Sequence, residues 1–174
     1  MSVPVKAIHD EMEQARVAFN SLVATASAND LRRGSNGTRW SNRQLLFHME
    51  FGYLVVLRLL PLVRIFGRLP DRYSRRFAAV LDAVTPHDHV VNYLGLVGGG
   101  QVLTPIGMAR LLDRTLTSLH RHWRPSTTPT WPAPCISRLS GTPYFHDMMT
   151  LADVYHFGTQ HFQHHQRQLR LGGG

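Results

Sequence analysis

Apolar residues recur along this sequence with the 3.6-residue period of an α-helix, and the two-residue alternation of a half-buried strand is almost absent. Each segment with that period forms an amphipathic helix that has to bury its apolar face against other helices. The first predicted helix covers Val5 to Ala26. Its apolar stripe consists of Ile8, Met12, Ala15, Phe19 and Leu22. The sequence therefore predicts an all-α protein.

The start of the second predicted helix is marked by a capping box. Ser41 and Gln44 stand three residues apart, so each can satisfy a free backbone N–H group of the first turn. This helix is expected to run to about Leu60, with Pro61 either kinking or ending it. A polar loop, residues 29–38, separates it from the first helix.

The rest of the chain reads as helices separated by glycine and proline. Helices are predicted over 71–84, from Thr85-Pro86, from Thr104-Pro105 and over 150–172. The run Gly98-Gly99-Gly100 is expected to break the chain, and the proline-rich stretch 125–143 is expected to form a long loop. We find neither an internal repeat nor a linker, so residues 1–174 are predicted to form a single domain.

Composition narrows the class of protein. The one cysteine, Cys135, excludes an internal disulfide. The most apolar run, 51–66, carries Arg58, Pro61 and Arg64 and falls short of a membrane span. With no secretory signal in sight, we expect a cytoplasmic protein. The net charge of +8 invites a nucleic-acid interpretation, but the arginines are scattered and no recognition motif accompanies them. An anionic small substrate would use the same charge.

Histidines carry the functional signal. On the last predicted helix His165 lies about 40° around the axis from His161, and both fall on the apolar stripe. His48 falls on the apolar stripe of the second helix. His156 is placed on the solvent side, and His164 on the border. The pairs His87/His89 and His120/His122 read as solvated surface or helix-end charges.

Three core-facing histidines on two helices admit two interpretations. Each could hydrogen-bond to backbone or carboxylate groups in the core, and for any one of them alone this is the simpler interpretation. Together on matching faces they favour a metal ion, because an i, i+4 pair completed by a third histidine forms a tripod. Three ligands leave one coordination position open, as in catalytic zinc sites. We therefore predict that His48, His161 and His165 bind one divalent ion.

Two segments also resemble a known family. The segment from Thr38 to His48, TRWSNRQLLFH, resembles the Trp-Ser/Thr…His signature of the DinB/YfiT-like superfamily. The segment from Gln160 to Leu169, QHFQHHQRQL, is similar to the terminal His-x-x-x-His helix of that superfamily. The resemblance covers residues 5–66 and 104–171 and leaves 67–103 unassigned.

The resemblance implies a fold, a cofactor and a range of activities. It implies a four-helix, up-down-down-up bundle, here with an inserted middle segment, and frequent homodimers. It implies a divalent metal ion, zinc or nickel first, held by His48, His161 and His165. Relatives include thiol S-transferases, a thiol-dependent isomerase and hydrolase-like proteins. No thiol-recognition motif is found here, so the enzymatic class is not carried over.

Three hypotheses follow for the function. The first is a metal-dependent enzyme of the thiol S-transferase or hydrolase kind, which activates a low-molecular-weight thiol or water and holds an anionic cosubstrate with arginines such as Arg39 and Arg43. The second is a non-catalytic metal-binding or stress-related protein of the same fold. The third, a basic DNA-associated protein, has the least support from the sequence.

Overall fold

A computed structural model describes residues 5–66, 98–122 and 151–172 of the chain. Its helices are α1 (Val5–Thr25), α2 (Ala28–Arg32), α3 (Asn42–Phe66), α4 (Pro105–His122) and α5 (Leu151–Gln166), and residues 98–102 are also helical. The described ranges contain no strand beyond a single bridge between Gly34 and Ser41. The predicted all-α fold is confirmed.

The four long helices form a bundle in which α1 and α3 each pack against both α4 and α5. Side-chain contacts give their directions. Arg16 contacts Asp113 while Glu13 contacts His120, so α1 and α4 are antiparallel.

The other directions follow in the same way. Glu11 contacts His156 and Phe19 contacts Phe162, so α1 and α5 are parallel. His48 contacts His161 while the later Tyr53 contacts the earlier Thr159, so α3 and α5 are antiparallel. The order is therefore up, down, down, up, as the resemblance implied.

The core lies between the four long helices and uses the predicted stripes. Four of the five residues of the α1 stripe are buried and Leu22 is partly buried. On α4 the buried apolar residues are Met108, Leu112, Leu116 and Leu119. The largest fully buried side chains include Tyr53, Tyr155, Phe19 and Phe162. Burial of these large apolar and aromatic groups is the main favourable term that holds the helices together.

The prediction left open whether Pro61 kinks or ends the second helix. Helix α3 continues through Pro61 to Phe66, so it does not end near Leu60. Proline removes one helical hydrogen bond, but Pro61 is exposed, so water can bind the carbonyl group that is freed. Val56 and Leu60 meanwhile are buried in the core. Packing of this face outweighs the local cost of the proline.

The prediction that Gly98-Gly99-Gly100 breaks the chain is wrong, because all three residues are helical. A Cβ atom on Gly99 would lie 2.2 Å from Cζ of Phe47, and one on Gly100 would lie 3.2 Å from Cα of Gln44. These glycines let the helical segment 98–102 approach α3 closely. Their role is packing, which the sequence of a single segment does not reveal.

Two further boundaries differ. The predicted loop 29–38 begins with the short helix α2, which Ser27 and Asp30 cap reciprocally. Helix α5 ends at Gln166, six residues before the predicted end at Gly172. Beyond it the chain binds the loop before α3: the N–H group of Asn36 donates to the carbonyl oxygen of Gln168 at 2.7 Å. These tertiary hydrogen bonds replace the last helical turns.

Several predictions lie outside the described residues. They concern the helices over 71–84 and from 85, the loop 125–143 with Cys135, the start of the last helix at Thr150, and residues 67–97 of the unassigned middle segment. Within the described ranges, no helical stretch combines the length and hydropathy that a bilayer crossing requires.

Candidate metal centre

Three histidine rings meet at the end of the bundle where α3 begins and α5 ends. The ring centroids of His48, His161 and His165 are 4.5 to 4.7 Å apart in all three pairs. One ring nitrogen of each lies within 4.8 Å of the others, a grouping that could hold a metal ion. The structure thus brings together the three side chains that the sequence singled out.

The antiparallel packing of α3 and α5 produces this meeting. His161 and His165 stand one turn apart on α5 and face α3, where His48 lies in the second turn. The two helices approach closely because a glycine of each helix faces a side chain of the other. A Cβ atom on Gly52 would lie 2.5 Å from Nδ1 of His161, and one on Gly158 would lie 2.7 Å from Cδ1 of Tyr53. Alanine at either position would push the helices apart.

Burial keeps the three imidazoles neutral. It lowers the pKa of His48 to about 3, with smaller effects from His165 and His164. Burial also lowers the pKa of His161 well below its ordinary value and, to a smaller extent, the pKa of His165. A neutral imidazole offers a lone pair, which is the form that a metal ion requires.

The ring orientations fit a cation. Nδ1 of His165 donates to Oε1 of Gln168 at 2.7 Å, so Nε2 of this ring carries the lone pair. Nε2 of His161 and Nε2 of His48 are 3.2 Å apart. When Nδ1 is protonated on these two rings as well, the lone pairs of three Nε2 atoms converge, and no N–H group lies between them to form a hydrogen bond. A divalent ion bound by three imidazoles satisfies them and leaves one position open.

Aromatic groups surround the histidines, and one edge reaches solvent. The ring of Trp40 lies 4.7 Å from that of His48 and 6.2 Å from that of His165. Phe157 lies 5.7 Å from His161. His161 is 7% exposed, whereas His48 and His165 are only partly buried and His164 beside them is exposed. The His48–His165 edge is therefore the side of the centre that is nearest to solvent.

Two further histidines contact a neighbouring helix, and neither joins the centre. His156, placed on the solvent side, contacts Glu11 of α1 at 2.8 Å. His120, interpreted as a solvated surface or helix-end charge, does lie in the last turn of α4, but it stacks on His9 at 4.5 Å and contacts Glu13 at 2.6 Å. A neighbouring helix provides the partner in both cases, and the angular position on one helix cannot reveal it.

The candidate arginines also differ from each other. The guanidinium group of Arg43 donates to the carbonyl oxygens of Gln101 and Leu103, so it holds the segment before α4. Arg39 is exposed, and within the described part of the chain it has neither a hydrogen bond nor an ion pair. Of these two candidates, Arg39 is the one that stays available for an anionic cosubstrate.

Sequence reasoning missed two residues at the centre, Gln168 and Gly52, and the buried Glu50 of α3. Gln168 follows His165 by three residues, which is a hydrogen-bonding spacing that could have suggested its contact. Glu50 stands alone among apolar residues of α3 and is fully buried. Within the described residues neither of its carboxylate oxygens has a hydrogen-bond partner, and burial raises its pKa to about 8. It lies on the side of α3 opposite His48, about 200° away.

Comparison with known proteins gives one match. A family model described as the DinB superfamily matches residues 11–169, which is most of the 174-residue chain. No curated protein and no solved structure matches the chain. The match confirms the resemblance that the two histidine-bearing segments indicated.

Proposed function

The chain belongs to the DinB superfamily, and from this premise we propose that His48, His161 and His165 bind one divalent metal ion at the active site of an enzyme. The single observation that carries the proposal is the convergence of three neutral imidazoles, whose ligand atoms lie within 4.8 Å of one another. Zinc and nickel suit such a ligand set, as do other transition metals.

The residues around the centre have separable roles in this proposal. Nε2 of each histidine holds the ion. Gln168 orients the ring of His165 through its Nδ1–H group, as partners of metal-bound histidines commonly do. Trp40 and Phe157 exclude water from the buried side. When bound, the ion lowers the pKa of a thiol or water molecule in the open position and makes it a nucleophile near neutral pH.

The proposed substrates are small molecules, and the proposed activity is of the thiol S-transferase or hydrolase kind. The partly exposed edge at His48 and His165 admits a small molecule rather than a large surface. In the proposed reaction the nucleophile is a low-molecular-weight thiol or water.

Elemental analysis followed by a rate assay tests this function. We expect about one divalent ion per chain in the purified protein. The metal-loaded protein should accelerate attack of a common thiol on a haloalkane or an enone. Chelator should abolish the rate and added divalent ion should restore it. Cys135→Ser should retain the rate, because Cys135 is the only protein thiol.

A non-catalytic metal-binding protein is the second candidate. Nδ1 of His48 and Nδ1 of His161 are buried and have no hydrogen-bond partner in the described ranges. Such a partner normally fixes the ring of a metal-bound histidine and tunes it as a ligand, so its absence on two of the three rings favours simple metal binding over a tuned catalytic site. Metal-loaded protein that shows no rate above buffer with several thiols and electrophiles would decide for this candidate.

A further inference from the structure

A second pair of histidines connects α1 to α4, at the opposite end of the bundle from the candidate metal centre. His9 lies near the start of α1, and His120 lies in the last turn of α4. Their Nδ1 atoms are 2.5 Å apart. The other ring nitrogen of His120, Nε2, lies 2.6 Å from Oε1 of Glu13. Glu13, His120 and His9 therefore form a continuous chain of hydrogen bonds between the two helices.

The distances in this chain determine where its protons lie. An ionised carboxylate only accepts hydrogen bonds, so Nε2 of His120 carries a proton and donates it to Glu13. Of the two Nδ1 atoms, one has to donate and the other has to accept, because two N–H groups cannot point at each other at 2.5 Å. The contact between His9 and His120 thus holds one proton, whichever ring supplies it.

The pair can take up one extra proton, but a second extra proton breaks the contact. With one, His120 donates from Nε2 to Glu13 and from Nδ1 to His9, so both hydrogen bonds remain. With two, both Nδ1 atoms carry protons and both rings are positively charged, so donor faces donor and like charges meet. Burial and the neighbouring His120 lower the pKa of His9, against smaller opposite effects of Asp10 and Glu13. The second proton therefore binds less readily in the folded chain than in the unfolded one.

Other charged and titratable groups of α1, α4 and α5 surround this pair. Several form ion pairs of their own, namely Lys6–Asp10, Arg16–Glu13, Arg16–Asp113 and His156–Glu11. Arg121 and His122 follow His120 and are exposed, and Asp153 lies in the first turn of α5. Each of the four ion pairs joins a basic group to an acidic one. Among these contacts, the one between His9 and His120 is the one that opposes a second positive charge between α1 and α4.

We propose that His9 and His120 form a pH-sensitive contact, which holds the start of α1 against the end of α4 near neutral pH and releases it in acid. The direction follows from the lowered pKa of His9. The contribution of the contact to stability is present above pH 6.5, the ordinary value for histidine, and is lost as the pH falls below it. The proposal is independent of the metal centre, which lies at the other end of the bundle.

A double-mutant cycle at two pH values tests the contact, because the cycle isolates the interaction of two residues from the titration of all other histidines. His9→Ala, His120→Ala and the double variant are unfolded in urea at pH 7.5 and at pH 5. At pH 7.5 we expect the pair to increase the folding equilibrium constant by about five-fold or more. At pH 5 this factor should fall below about two-fold or change sign.

Arg16 and Asp113 provide the matched control, because they join the same two helices without a histidine. The factor from the cycle of Arg16→Gln and Asp113→Asn should change less than about two-fold between the two pH values. Nitrogen NMR of the wild type adds a measurement that needs no variant: at pH 7.5 one Nδ1 atom of the histidine pair should be protonated and the other not.

Three results would overturn the proposal. The first is a His9–His120 factor of the same size at both pH values. The second is the absence of coupling at pH 7.5, or two Nδ1 atoms in the same protonation state at that pH. The third is a control cycle that loses its factor in acid as fully as the histidine cycle does, because acid would then loosen the whole contact between α1 and α4.

Discussion

Each histidine of the centre has an energetic cost that a metal ion would offset. An imidazole removed from water needs partners for its ring nitrogens, and one ring nitrogen from each of three such imidazoles lies within 4.8 Å of the others here. We expect His161→Ala or His165→Ala to reduce metal affinity more than about 100-fold, since loss of an outer-shell partner alone costs roughly 10- to 100-fold. Gln168→Ala should fall in that smaller range. His156→Ala, whose ring contacts Glu11, is the control and should bind normally. Full metal content in the triple variant His48→Ala/His161→Ala/His165→Ala would contradict the site.

Gly52 sets the distance between α3 and His161. A methyl group there would lie 2.5 Å from Nδ1 of His161, so the ring or the helix has to shift. We expect Gly52→Ala to lower the free energy of unfolding by about 1–3 kcal/mol, as overpacking does, and to weaken metal binding. Gly98 is helical, and nothing lies within 4 Å of the position that a methyl group would take, so Gly98→Ala should instead be neutral or stabilise by roughly 0.5–1 kcal/mol. Urea unfolding and metal titration of both variants check this, and unchanged affinity in Gly52→Ala would contradict the role.

Glu50 makes stability depend on pH. Its pKa is about 8 in the folded protein against 4.5 when exposed, so the folded state holds its proton more tightly. The contribution of this bound proton to the free energy of unfolding is complete below pH 4.5. It is lost as the pH rises through about 8, and the free energy of unfolding falls by about 1.4 kcal/mol per pH unit over that range. Glu50→Gln should therefore be more stable than the wild type at pH 8, with a difference that shrinks towards pH 5. A stability difference that does not vary between pH 5 and pH 8 would show that Glu50 is not a buried neutral acid.

The sequence predicts the three candidate metal ligands better than it predicts the residues that surround them. The positions of His48, His161 and His165 follow from helical period alone, because each lies on its helix's own apolar stripe. The contact of His156 with Glu11 and the role of Gly52 depend on which helix packs against which residue. That information is absent from any single segment, so sequence reasoning placed His156 in solvent and assigned no role to Gly52.

At the scale of elements, one side chain joins three parts of the fold. Asn42, the first residue of α3, is fully buried. Its Nδ2 group donates to the carbonyl oxygens of Asp30 in α2 and of Arg170 after α5, each at 2.8 Å. Its Oδ1 atom accepts from the N–H group of Arg170. This one residue therefore holds α2 and the chain after α5 against the start of α3.

The loss of unfolding free energy on substituting Asn42 should depend on what the new side chain places against those carbonyl groups. Asn42→Ala leaves buried partners unsatisfied and should cost about 2–4 kcal/mol of unfolding free energy. Asn42→Asp places a carboxylate oxygen against two carbonyl oxygens and should cost more. Thermal or urea unfolding measures both variants. An aspartate variant as stable as the wild type would mean that these hydrogen bonds do not hold the segment.

The start and end of a helix were predictable where residues within a few positions of that boundary determine it. The Ser41 capping box marks the start of α3 as predicted: Ser41 N–H donates to Oε1 of Gln44 at 2.9 Å. Thr104-Pro105 likewise opens α4. The errors fall where tertiary contacts override local preference, at Pro61, at the three glycines from 98 and at the end of α5. In each case packing or a long-range hydrogen bond decides the outcome, and neither has a signature within a few residues.

At the scale of the whole molecule, the directions of the helices bring the three histidines of the centre together. The up-down-down-up order puts the start of α3, the start of α4 and the end of α5 at one end of the bundle. The three histidines of the candidate metal centre consequently lie at that end. The opposite end of α1 and α4 carries acidic residues such as Glu13 and Asp10 together with His9 and His120. The candidate metal centre and this second group of histidines are thus separated along the bundle.

Self-association is the prediction that concerns the whole molecule. Leu46, Leu54 and Leu57 make α3 apolar away from His48, which predicts either an enclosed helix or a subunit interface. Leu46 is fully buried inside the bundle, while Leu54 and Leu57 are only partly buried. Next to the start of α3, Val102 and Ile106 are 80% and 62% exposed. Exposed large apolar groups that stand close together are typical of interaction surfaces.

We expect a homodimer whose interface includes Val102 and Ile106. Light scattering at micromolar concentration should give twice the chain mass of 19.7 kDa. Val102→Asp/Ile106→Asp should give a monomer, because a charge buried in an interface without a partner is strongly unfavourable. Its metal content should not change, since neither residue belongs to the histidine centre. Val17→Asp, at a residue of α1 that is 68% exposed, is the control and should remain a dimer. A monomeric wild type would contradict self-association itself, whereas dissociation of the Val17 variant alone would place the interface on α1.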